Sequence, residues 1–191
     1  MIGRVWLYVV AAMTIVSLGS VVEIMARDGS GSSRYQDEEQ RSIAFLRDRQ
    51  AQSSDPIGFV RVIERLGEMR SVAAIDDLIN LITFKRTLQE EAPVSPIQRA
   101  LPVGTLSVYP ATGALFHIGE QALPALTAVI KAGNSEALAS ENAFYTVMAI
   151  FREDREAGVE YLESAANHAH SAKESKKLLQ AAERAKSFVL M

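Results

Sequence analysis

From Asp55 onward, apolar positions recur once per helical turn. Val60, Ile63 and Leu66 share one helical face, and Ile75, Leu78, Ile79 and Ile82 follow the i, i+3, i+4, i+7 rule of the next helix. Ala111, Ala114, Leu115 and Ile118 make a third stripe, and Leu123, Leu126 and Ile130 a fourth. Phe144, Val147, Met148 and Phe151 then precede Val159, Leu162 and Ala166. The punctuation agrees with the period. Asp55 before Pro56 predicts a helix start, since an aspartate accepts from a free N–H and proline lacks only an N–H that would be unpaired there. Pro110 and Asp154 open further helices, a second helix begins near Ser71, and Pro124 is tolerated in a first turn. Gly67, Gly119 and Gly133 are expected to stop helices, because glycine enters the left-handed C′ conformation without a steric penalty. Helices joined by so few residues are expected to pair antiparallel as hairpins.

The second helices align on an apolar-x-x-Leu core, Ile75 to Leu78, Leu123 to Leu126 and Val159 to Leu162, at spacings of 48 and 36 residues. The larger spacing contains an insertion, so a unit of roughly 36–40 residues remains, within the range of helical-hairpin repeats. Ser171 with Glu174 predicts a capping box for a last helix with the stripe Leu178, Ala182 and Ala185. Its Lys173, Lys176, Lys177, Glu183, Arg184 and Lys186 suit the outer face of a terminal cap. At the other end, Tyr35–Gln50 is expected to be a charged helix carrying Ile43 and Leu46.

The stretch from Ala111 through Ala114-Leu115, Ile118-Gly119 and Ala122-Leu123-Pro124 to Leu126 resembles a HEAT-like repeat. Leu66-Gly67 with Ala74-Ile75-x-x-Leu78 is a weaker second match, and the third copy keeps only the spacing. The resemblance covers Asp55 to His168 less the insertion. It implies an all-α fold, a short α-solenoid of about three hairpins with capping helices, spanning residues 35–191 with an insertion at 85–109. It further implies a protein-binding scaffold, and it carries no shared catalytic residues.

Ahead of this domain, Val5–Val22 is an 18-residue run without charge, at the lower edge of what spans a hydrocarbon core. As a signal peptide, Arg4 supplies the positive n-region, and Ser17 and Gly19 the small residues before a cut. As an uncleaved anchor, the run places Trp6 and Tyr8 near one interface and keeps Arg4 cytoplasmic. No Ala-x-Ala site follows the run, which favours the anchor. Either way residues 1–26 direct the rest of the chain across the membrane, so the domain is expected to face the extracytoplasmic side or to be secreted. Residues 27–34 contain Asp28-Gly-Ser-Gly-Ser-Ser33, a flexible tether.

Composition narrows function by exclusion. The net charge is −3, from 20 Lys and Arg against 23 Asp and Glu, and the charges are interspersed. No one-sided basic field exists for a phosphate backbone, which argues against nucleic acid. The chain has no cysteine, which excludes disulfides, thiolate zinc sites, a thiol nucleophile and a lipidated cysteine anchor. No Gly-x-Ser-x-Gly elbow or phosphate loop occurs, so no catalytic residue, cofactor or metal is assigned. His168 and His170 lie in a turn before Ser171 and lack a third ligand at a convincing spacing. The insertion, with Pro93, Pro96 and Pro102 and a Gly104–Tyr109 end expected to be extended, is the place for a binding element. Arg99, Tyr109 and His117 are the candidate binding residues; the plainer readings are an inert excursion between repeats and a packing histidine beside Phe116. The function expected is a non-enzymatic interaction module, with an unidentified protein partner and the membrane as its contacts. The alternatives are an enzyme or ligand-binding domain with the insertion as a lid, and a structural spacer of an envelope assembly. Excising Lys85–Arg99 is expected to leave helicity nearly intact.

Overall fold

Side-chain caps mark the helix starts. The computed structural model describes residues 33–86, 105–133 and 137–188. Asp55 Oδ1 accepts from Gly58 N at 2.9 Å and opens α3 (Pro56–Glu68), and Asp154 Oδ1 does the same for Ala157 N at 2.9 Å ahead of α9 (Arg155–Asn167). Ser171 Oγ accepts from Glu174 N at 3.3 Å and caps α10 (Ala172–Lys186). Glu174 reaches back to the backbone N–H of His170, one residue short of a reciprocal capping box. The N-terminal helix is divided: α1 covers residues 33–47, and Asp48 then caps α2 (Arg49–Ser54) through Gln50 N at 2.9 Å. The uninterrupted helix expected to Gln50 is therefore broken, because Asp48 offers its carboxylate to the next turn. Helix α1 also takes in residues 33 and 34 of the stretch read as tether.

A 3₁₀ turn (Val72–Ala74) leads into α4 (Ile75–Asn80), and Ile82 is buried in the turn beyond. The Gly104–Tyr109 stretch was expected to be extended, but Thr105–Val108 is a helical turn, α5, with Leu106 buried against Ala149 and Phe116. The apolar side of Leu106 turns inward, and burial outweighs the weak strand pattern. Helix α6 (Pro110–Ile118) ends at Gly119 with φ 79°, and a 3₁₀ turn (Gly119–Ala122) joins it to α7 (Leu123–Ala132). Gly133, at φ 44°, ends α7 in the left-handed conformation. Helix α8 (Ala137–Ile150) completes a chain that is all-helical among the described residues.

Residues 33–41 fall outside the compact unit that begins at Ser42. Within that unit, α3 packs along α6, and α6 along α8. Helix α4 meets α6 and α7, while α7 runs against α8 and α10. The most extensive pairing is α9 with α10; α9 meets α8 only lightly, so its main neighbour follows it in the chain. One apolar cluster runs through these helices. Leu78, Leu126 and Leu162, the three aligned leucines, are each 0% exposed.

Gly67 departs from its expected role. It does not take the left-handed closing position of α3 but lies buried in its last turn, and the helix ends one residue later, at Glu68. Ser71 N donates to Leu66 O and Arg70 N to Gly67 O, both at 3.0 Å, which is a Schellman closure with Arg70 at the left-handed position. Space, not backbone freedom, requires the glycine. A β-carbon there would stand 2.7 Å from Ala114 Cα, so α3 and α6 are in backbone contact. Lys177 is another correction. It was assigned to the outer face of a cap, but Nζ donates to Ala132 O at 2.6 Å and Lys131 O at 3.1 Å, closing α7 from α10.

Among the described residues no helix is long and apolar enough to cross a membrane. The expected signal or anchor at 1–26 lies outside the described residues, as does Arg99.

Candidate functional site

The Gly67–Ala114 contact sets what lies beyond it. Three residues on from each contact position stand Arg70 and His117, at the C-terminal ends of α3 and α6. Helix α8 packs on α6 and ends nearby, so Arg152, in the turn after it, joins them. Its guanidinium lies 5.5 Å from the centroid of the Phe116 ring, which meets the His117 ring edge-on at 5.2 Å. Phe116 in turn packs on Leu106 and Ala149. Three helix ends thus present two arginines around a half-buried Phe–His pair. Cationic side chains are favoured there because the last carbonyls of a helix carry partial negative charge.

His117 Nε2 is buried and finds no hydrogen-bond partner among the described residues. Burial is the main influence pushing its pKa below the ordinary value; Arg70 and Arg152 push the same way, and Glu68 opposes them. The neutral ring is therefore favoured over the imidazolium, which would bury an unpaired N–H at Nε2. Such a ring is a packing wall beside two fixed charges. Tyr109, the second candidate, is half-buried ahead of α6, and its carbonyl accepts from Thr112 Oγ1 at 2.6 Å. No ring contact or side-chain hydrogen bond joins it to His117.

Among the described residues, two of the clefts open to solvent bear on this surface. The first, about 450 Å³, lies beside the α8–α9 turn and is lined by Met148, Phe151 and Phe188, by Arg152 and Arg155, and by the acids Glu153, Asp154 and Glu156. Arg152 therefore connects it to the Phe116–His117 pair. The second, about 470 Å³, lies between α7, α8 and α10. Its cations are engaged internally. Arg184 sits 4.5 Å from the Phe144 ring centroid and donates to Glu141 Oε1 and Tyr145 Oη, each at 3.1 Å, and Lys177 closes α7. Neither cleft is lined by Tyr109 or His117.

The insertion is held at its base. Arg86 N donates to Val108 O at 2.9 Å, and the Arg86 guanidinium pairs with Glu64 of α3, the two side chains being 8% and 13% exposed. Asn142 of α8, 1% exposed, donates to Ile82 O at 2.8 Å. These contacts fasten the chain entering and leaving the insertion to α3 and α8.

Sequence reasoning singled out His117 and missed Arg70 and Arg152. The available signal was an arginine where a helix C′ position favours glycine, and it becomes visible only once the end of α3 is placed after Gly67. No family model matches the chain, and no curated protein or solved structure is significantly similar to it.

Proposed function

We propose that this chain is a non-enzymatic protein-interaction module, built as a short α-solenoid of HEAT-like hairpins and exported or held at a membrane by its N-terminal apolar run. The packing of α3 on α6 and of α6 on α8, with α4 against α6 and α7, supports the stacked architecture. The observation that carries the function is the surface at the helix ends. It joins a half-buried aromatic pair, two arginines and an open cleft with an apolar floor of Met148, Phe151 and Phe188. Protein interfaces favour this combination of aromatic, Met and Arg groups. Small-molecule and catalytic sites instead enclose their ligand among convergent polar groups, and Tyr109 and His117 line neither cleft. The uncharged run Val5–Val22 supports the location, and the interspersed charges argue against nucleic acid.

The test is cross-linking and affinity isolation of the native chain from its membrane fraction, with the intact mass of the recovered chain. The expected result is a reproducible partner, lost when Phe116 and Arg152 are replaced by Ala and Glu. Recovery of the chain alone, or of the same partner with that variant, sinks the reading. The mass reports whether residues 1–26 are retained.

A further inference from the structure

We propose that the ends of α3, α6 and α8 recognise an acidic side chain of a protein partner, its carboxylate received by Arg70 and Arg152 and its flanking apolar group lying on Phe116. This rests on the interaction-module reading and specifies the chemistry of the partner.

Four other arginines are held internally, and Arg61, exposed like Arg70, has no aromatic contact among the described residues to set it beside the Phe116–His117 pair. Arg47 is bidentate on Asp77, Arg65 pairs with Glu68 at 3.0 Å, Arg86 pairs with Glu64, and Arg184 is clamped by Glu141, Phe144 and Tyr145. Arg70 is exposed, and its side chain makes no hydrogen bond or ion pair among the described residues. The carboxylate paired with Arg152 is that of its neighbour Glu153, at 3.8 Å and itself exposed. Arg70 also occupies a conformation, φ 52°, that disfavours any residue with a β-carbon. Glycine would serve the Schellman closure better, so the arginine there costs local stability. Side chains that break a local rule in this way concentrate at working surfaces.

The same geometry selects a carboxylate over a polyanion. Glu153 stands beside Arg152, Glu68 is paired with Arg65 nearby, and the whole chain is negative, so a phosphate backbone meets repulsion along its length. A single carboxylate meets two guanidiniums, each able to bind it through a fork of N–H groups. The half-buried ring of Phe116 offers apolar area directly beneath Arg152.

The probe is a short peptide of alternating glutamate and leucine, with the glutamine–leucine peptide as control, titrated into the full chain by calorimetry and by NMR of the His117 ring. The glutamate peptide is expected to bind, more weakly at high salt, and to move the His117 titration to higher pH, because a nearby carboxylate offsets the two guanidiniums. Arg70→Gly is expected to weaken binding about tenfold or more, as loss of a charged hydrogen bond does, while leaving the melting temperature unchanged or higher. That pairing separates lost recognition from lost folding. Equal binding of the glutamine peptide, unchanged binding by Arg70→Gly, an unmoved His117 resonance, or tighter binding of inorganic phosphate or RNA than of peptide would each overturn the proposal. If Arg70→Gly still captures the partner taken by the native chain, acid recognition fails while the interaction reading stands. If the native chain captures nothing, both fail.

Discussion

Gly67 lies so close to Ala114 that a β-carbon on it would come within 2.7 Å of the alanine Cα and 3.0 Å of its Cβ. The obstacle is backbone, which cannot swing aside. Gly67→Ala gains roughly 1 kcal/mol of helix propensity, but separating α3 from α6 costs about 1–3 kcal/mol. A net loss of stability is expected by urea denaturation, and Gly67→Val should lose more. If Gly67→Ala proves more stable than the native chain, the two backbones are not in contact.

Arg86 and Glu64 form a buried pair where the chain enters the insertion. Removing one partner of a buried ion pair costs about 3–5 kcal/mol. Arg86→Ala is expected to lose stability on that scale, whereas Arg86→Met combined with Glu64→Leu should recover most of it. The result bears on the insertion, because an excision that begins at Lys85 removes Arg86 as well. Such an excision is expected to destabilise the domain, and one that begins after Arg86 to spare it. Equal stability of the two excisions would refute this.

His117 predicts the sign of one pH dependence. Its folded pKa is depressed, mainly by burial and then by Arg70, with Arg152 adding to this and Glu68 opposing. Below its ordinary pKa of ~6.5 the unfolded chain therefore binds a proton that the folded chain resists. The His117 contribution is fully present above that pH and is lost as pH falls through the folded value. Denaturation midpoints measured from about pH 8 down to 5 should decline less for His117→Gln than for the native chain. Parallel slopes would mean that the ring is not held neutral.

Asn142 ties α8 to the turn after α4, donating to Ile82 O at 2.8 Å from a fully buried position. Asn142→Ala strands that carbonyl and opens a small void, with an expected loss of about 1–3 kcal/mol. Hydrogen exchange should show the turn around Ile82 opening more readily than α3. Uniform exchange across both would place Asn142 outside any local fastening role.

The helical period, the caps at Asp55, Asp154 and Ser171, and the glycine ends at Gly119 and Gly133 were all legible in the sequence, since each is decided by neighbours within one turn. Leu78, Leu126 and Leu162 were legible as core for the same reason: an apolar stripe has to be covered by something. What covers it is another matter. That Gly67 spaces two helices and does not end one, that Lys177 closes a helix far away in the chain, and that Arg70 and Arg152 gather around His117 follow from contacts between residues tens of positions apart. No local preference encodes such contacts. Local backbone chemistry decided where this chain turns, and close packing between helices decided which of its charges are drawn into internal pairs.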